Sequence, residues 1–299
     1  MKKFYIIFLF ILFSKIYFFI PLNSKIILCT IAKMENLYIR EFIEHYKLIG
    51  VDKIIIFDNN NKDGERFEDV INDYINNDFV NIINYRDCKM CQHQSYEECY
   101  NKFKNKYDWF LFFDVDEYLI LPNYKNIHDF VNDNRFNKFD IIHVNWIFFD
   151  DNDLIFYDNR PLQKRFIRPR HFIKKNYKNY LIKSIIRSRL SKLKFRNPHT
   201  PKGNYKVCDV TGKKVRNVPV IKNNPAQLNL NVPYLKHFNC KTVEEYFKNK
   251  MNRGFPDEFG VKNFKKVMSK DYFFYENNWN SIKEFIADLL IFKYYNKKK

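Results

Sequence analysis

The run WFLFFDVDEYLIL, residues 109–121, sets Asp114, Asp116 and Glu117 directly after five apolar side chains and then returns to Tyr118, Leu119, Ile120 and Leu121. Three acids in four positions beside a buried strand are costly unless a divalent cation or a structural partner neutralises them. Two carboxylates at i and i+2 on an extended backbone face the same side, so Asp114 and Asp116 could share one hard cation. Mg²⁺ or Mn²⁺ takes oxygen ligands and keeps positions open for phosphate oxygens. A metal held this way stabilises the charge that builds on a diphosphate leaving group. The plainer alternative is a capped turn carrying solvated acids.

Elements upstream of this run are needed to position it. KIILCT, residues 25–30, is predicted to be a buried strand, and Ile39, Phe42, Ile43, Tyr46 and Ile49 then recur at helical spacing up to Gly50. KIIIF, residues 53–57, is a second strand, closed by the polar loop Asp58 to Gly64. Phe67, Val70, Ile71, Tyr74 and Ile75 mark a second helix, and residues 79–85 a third strand. Tyr96, Cys99, Tyr100, Phe103 and Tyr107 mark a third helix before the WFLFF strand. This alternation predicts an α/β fold with a mostly parallel sheet flanked by helices, whose ligands bind beyond the carboxyl ends of the strands. Thr30, Asp58 and the acidic cluster would then share one rim. No Gly-rich phosphate loop follows the first strand, which excludes dinucleotide-binding enzymes and P-loop NTPases. DIIHV and NWIFF, from residue 140, read as two further strands, and residues 201–233 as a mobile loop.

A 299-residue chain with 46% hydrophobic and 19% aromatic residues is globular, not disordered. The net charge of +18 partly reflects heavy use of Lys, but thirteen Lys or Arg and no acid lie between Gln163 and His199. That stretch is either a face meeting phosphates or a solvated basic surface. No nucleic-acid-binding motif accompanies it, so nucleic acid is not an expected partner. Of six Cys, Cys88 and Cys91 form a C-x-x-C with His93 and Cys99 nearby, short of a recognisable zinc spacing, and the default is small buried side chains. His45, His128, His143 and His171 lack ligand spacing and are expected to be structural.

At the amino terminus, Lys2 and Lys3 precede FYIIFLFILF, Ser14, Lys15 and IYFFIPL. Residues 1–23 are expected to be a signal anchor or signal peptide, with the body, residues 24–299, across the membrane. Lys15 near the middle would cost roughly 2.5 to 3.5 kcal/mol on insertion. The body reads as one domain with a nucleotide-binding half at about 24–125 and an acceptor half at about 126–299.

KMENLYIREFIEHYKLIGVDKIIIFDNNNKDG, CQHQSYEECYNKF, WFLFFDVDEYLIL, HVNWIFF, IKSIIR, NPHT and LKHFNCKTVEEYFKNKMNRG occur in order over residues 25–254. Together they resemble glycosyltransferase family 92, a DUF23-like group of the GT-A superfamily with a Rossmann-like sheet. The resemblance implies a metal-dependent, inverting transferase moving a hexose, often galactose, from a UDP-sugar to a glycan hydroxyl, with Mn²⁺ or Mg²⁺ as cofactor. Carried over by position, Asp114 and Asp116 would hold the metal with His237 as third ligand and His199 in reserve. Glu117 would support the diphosphate or sugar, and Thr30, Lys33, Glu35 and Asp58 would border the nucleotide. Lys183, Trp146 and Gln94 would line the sugar or acceptor cleft. Met34 departs from the family's Asn before Glu35, Asn61 from a Ser, and Asp150 and Asp151 from a small pair after Phe149. Inversion needs a base for the acceptor hydroxyl; Asp151 is the nominee, with Asp150 and Glu244 competing. Glu244 and Glu245 read equally as first-turn acids of a helix capped by Thr242. The rival classes are a metal-dependent phosphotransferase or nuclease, and a non-catalytic glycan-binding relative.

Overall fold

The computed structural model describes residues 24–170, 180–222, 224–253, 270, 273–274 and 281–294. Residues 1–23, where the signal anchor is expected, and His171 lie outside them. The predicted alternation is present: β1 (Ile26–Ala32), α1 (Ile39–Leu48), β2 (Lys53–Asp58), α2 (Glu68–Asn76), β3 (Val80–Asn84), α3 (Gln92–Phe103) and β4 (Trp109–Phe112). Every residue of β1, β2 and β4 is buried, as their continuous apolar runs require of strands covered on both faces. Side chains alternate between two cores. Ile26, Leu28, Trp109 and Leu111 pack on one face with Phe42, Ile43 and Tyr46 of α1; Ile27, Cys29, Phe110 and Phe112 pack on the other with Tyr96 and Tyr100 of α3. A disulfide from Cys29 to Cys99 ties β1 to α3 within the second core.

The remaining strands are β5 (Glu117–Ile120), β6 (Ile141–Phe148), β7 (Ile182–Arg187), β8 (Phe195–Asn197), β9 (Thr200–Pro201), β10 (Val207–Asp209) and β11 (Tyr234–His237). The main sheet runs β3-β2-β1-β4-β7-β6-β11-β5, with β10 on β6. Its β1–β4 half is parallel, whereas β7 runs antiparallel to both β4 and β6, and β5 antiparallel to β11. DIIHV and NWIFF are therefore one strand, β6, buried along its whole length between β7 and β11. Residues 201–233 likewise contribute β10 and a short helix, Pro225–Leu228, because Val207 and Cys208 are apolar enough to be buried beside β6.

The carboxyl ends of β1 and β2 align as Ala32 against Asp58, and Asp58 in turn opposes Asn84 of β3. This rim, together with the link between β4 and β5, carries the acidic cluster.

Candidate functional site

Asp114 to Asp116 form a turn between β4 and β5, closed by the Glu117 amide donating to the Asp114 carbonyl at 3.0 Å. A turn does not keep the two-residue periodicity of a strand, so the two aspartates diverge where an extended backbone would have aligned them. Asp114 accepts from Gln92 Nε2 and Tyr96 Oη, both at 3.0 Å, and from Lys183 Nζ at 2.8 Å. Asp116 faces His237 Nε2 at 3.5 Å and Lys250 Nζ at 3.8 Å. The expected trio thus separates into an Asp116–His237 pair and an Asp114–Lys183 pair. Among the described residues, no group of three His, Cys, Asp or Glu side chains is close enough to enclose a metal on its own.

Lys183, fully buried on β7, lies between Asp114 and Glu117, whose Oε2 is 3.6 Å away. Glu117 also accepts from the Asp114 amide at 3.0 Å, while its Oε1 is buried without a hydrogen-bond partner. Burial pushes the Glu117 carboxyl well up, with Lys183 opposing, and the two carboxylates hold the Lys183 ammonium well above its usual range despite burial.

His237 is placed by register: it pairs with Glu117 across β5 and with Phe148 across β6. Its ring lies 4.2 Å from that of Trp146 and 4.7 Å from that of Phe148. Burial lowers its basicity, with Asp116 opposing, and its Nδ1 has no hydrogen-bond partner. Burial also acts to raise Asp116, but His237, Lys250 and Lys241 together outweigh it and hold the carboxyl far below its ordinary range. A neutral imidazole beside an ionised carboxylate is the pair of protonation states a metal ligand set needs. Asp116 and His237 therefore fit a hard cation that takes its other ligands from phosphate and water, while Asp114 is committed to Lys183.

The other expected residues separate into rim and interior. Glu35 is buried at the rim, ion-paired to Arg253, and Lys33 accepts from Arg253 through its carbonyl. Asp58 binds Arg86 Nε at 2.8 Å and the Asn60 amide at 3.0 Å, and Asn60 Oδ1 accepts from the Met34 amide at 2.8 Å. Asp58 thus orders the rim loops. Thr30 lies two residues inside the end of β1, fully buried, its Oγ1 without a partner. Gln94 is exposed on α3, and Gln92 occupies the place expected of it. Two residues turn a helix by about 200°, so Gln92, Tyr96 and Cys99 share the inner face and Gln94 does not.

Asp151, the expected base, lies in an ion pair. It is completely buried and accepts from Lys283 Nζ at 2.8 Å. Its competitors are engaged as well: Asp150 binds Arg168 Nε at 3.0 Å, and Glu244 accepts from the Tyr157 amide and Tyr294 Oη. Thr242 does cap its helix, in a reciprocal box with Glu245. His45, His128 and His143 are held by Leu119 O, Ser24 O and Ser184 Oγ, as expected of structural histidines, and the reserve ligand His199 by Ile182 O. In the basic stretch, Arg165, Arg168, Lys183, Arg189 and Lys194 each meet an acid from another element. Of these five, Arg165 and Lys183 are buried.

A family model for glycosyltransferase family 92 matches residues 26–262. The chain belongs to glycosyltransferase family 92. A family 92 protein of Oryza sativa subsp. japonica is 29% identical over 102 residues, covering 34% of this chain and 17% of the relative. One from Ricinus communis is 27% identical over 104 residues, covering 35% and 18%. Each alignment thus spans less than a fifth of the length of the curated relative it matches. Two crystal structures of S. aureus TarS are similar at 11% and 10% identity, with TM-scores of 0.35 and 0.36, covering 76% and 91% of this chain and 38% and 73% of theirs.

Proposed function

We propose that this family 92 member is a metal-dependent, inverting glycosyltransferase that moves a hexose from a UDP-sugar to a hydroxyl of a glycan. The observation carrying this reading is the Asp116–His237 pair on the sheet rim, inside the segment that matches the family model. Asp116 and His237 would hold Mn²⁺ or Mg²⁺, which when bound would stabilise negative charge on the departing diphosphate. Glu35, with the Met34–Asn60–Asp58 hydrogen-bond chain behind it, borders the nucleotide side. Lys183 fixes Asp114 and supplies positive charge behind the sugar side of the turn. Trp146, its ring tilted against that of His237, packs beside the Asp116–His237 pair.

Tethering by residues 1–23 would keep the body at a membrane. Among the described residues no helix is long and apolar enough to cross one. The Cys29–Cys99 disulfide favours an oxidising compartment for the body.

The test is the melting temperature of the purified body with UDP, with Mn²⁺ and with both. A rise from UDP that Mn²⁺ enlarges, the enlargement disappearing in Asp116→Ala, supports the reading. Stabilisation by metal alone, or by neither, rejects it. Hydrolysis of a panel of UDP-sugars then separates an active transferase from a binding relative.

A further inference from the structure

Beside Asp116 the rim opens into a small cleft lined by Met34, Tyr38, Asn239, Lys241, Lys250 and Arg253, among others. Three of these side chains are cationic, and they are not equally neutralised. Arg253 is ion-paired to Glu35, and Lys250 approaches Asp116 and donates to Asn239. Lys241 differs. It is only 7% exposed, yet among the described residues no carboxylate lies within ion-pair distance of its ammonium. Its ammonium lies over the face of the Tyr38 ring, 4.2 Å from the ring centroid. Glu245, the adjacent acid, is already taken by two hydrogen bonds from Arg165, both at 2.9 Å, and one from Tyr38 Oη at 2.8 Å. Asp116 and Glu245 act on Lys241 only from a distance, and burial works against its charge.

The backbone is unusual at the same place. Lys241 has φ +60°, a left-handed conformation that a long side chain rarely adopts, and Met34 across the cleft has φ +54°. Lys250 ends a π-helical turn, Tyr246–Lys250, which directs it toward Asp116. Strained backbone, a π turn and a buried cation with no counter-ion in one cleft are costs that a bound partner would offset.

We infer that Lys241, with Lys250 and Arg253 beside it, forms an anion subsite that receives a diphosphate next to Asp116, and that Lys241 acquires its counter-ion only when that anion binds. Identifying the anion as the donor's diphosphate rests on the function proposed above. Recognition of the phosphates themselves does not depend on it. The subsite also divides the work at the leaving group: fixed ammonium groups meet one side of the diphosphate, and the Asp116–His237 pair faces the other.

The experiment is calorimetric titration of the full chain with inorganic pyrophosphate in EDTA, for wild type, Lys241→Met and Lys241→Arg. Wild type should bind without metal. Lys241→Met should bind about tenfold more weakly or worse, the loss expected of one charged hydrogen bond, while Lys241→Arg retains binding. The ligand-free Lys241→Met protein should melt above wild type, because an unpaired buried charge has been removed. Wild type that fails to bind pyrophosphate, unchanged binding by Lys241→Met, or a ligand-free Lys241→Met that melts below wild type each overturns the proposal. Titration with UDP separates the two ideas. UDP that binds no more tightly than pyrophosphate, with or without Mn²⁺, leaves the anion subsite standing and removes the nucleotide donor.

Discussion

Replacing Lys183 by Met removes the β7 cation that pairs with Asp114 and Glu117. At separations of 2.8 and 3.6 Å and an effective dielectric constant of about 20, the two attractions amount to about 6 and about 5 kcal/mol. Taking the ammonium out of water offsets several kcal/mol of this, and Asp114, at 34% side-chain exposure, keeps part of its hydration. The expected net loss is about 3 kcal/mol, at the lower end for a broken buried pair. It should depend on pH in one direction. Burial raises Glu117 and Lys183 opposes the rise, so Glu117 in Lys183→Met stands higher still. A carboxyl raised by folding stabilises the fold fully below its unfolded pKa, about 4.3, and loses that contribution as pH climbs through the folded value. Wild type loses the same contribution in parallel up to its own, lower folded value, so the deficit should be no smaller at about pH 8 than at about pH 5 and should grow only above the wild-type folded value. Urea unfolding at both pH values, read as midpoint shifts at constant slope, measures it. Adding Glu117→Gln should restore at least about 1 kcal/mol, since it removes the carboxylate left stranded. A single variant within about 1 kcal/mol of wild type at pH 8 would refute the reasoning, because a broken buried pair cannot cost so little.

Asp151→Asn should lower stability by about 2 kcal/mol by weakening the buried pair with Lys283, and leave Mn²⁺-dependent UDP binding intact. Full stability with abolished turnover would instead return Asp151 to the chemistry. Met34→Asn should stabilise the fold by about 0.5 to 1 kcal/mol, since Asn tolerates φ near +54° and the amide bond to Asn60 is kept; a lower urea midpoint contradicts this. Four thiols should react in the unreduced, denatured chain, and Cys29→Ala with Cys99→Ala should cost about 4 kcal/mol for a 70-residue separation. Six reactive thiols would show that the bridge does not form.

The first four strands and three helices were legible because apolar periodicity is local, and the acidic turn because it follows the last of those strands. What local pattern could not supply is which distant side chain meets which. Gln92 and Gln94 differ by a helix phase that decides which of them reaches Asp114. The pairing of Asp151 with Lys283 spans 132 residues, and that of Arg165 with Glu245 spans 80. The disulfide joins Cys29 to Cys99, whereas the spacing drew attention to Cys88 and Cys91. The i, i+2 argument for Asp114 and Asp116 rests on an extended backbone, whereas the strand ends at Phe112, two residues before the motif begins. His237 had no local signal beyond its place in the family pattern.

The antiparallel register that sets His237 against Glu117 has a consequence for biosynthesis. Strands β1 to β4 can condense as soon as they are made, but β11 emerges more than a hundred residues after the acidic turn. Until it adds to β5 and β6, Asp116 lacks its imidazole and the segment behind β11 that carries Lys241 and Lys250. A nascent or truncated product would thus carry the first four strands without His237, Lys241 or Lys250, so that the surroundings of Asp116 are completed in a single late step, together with the sheet.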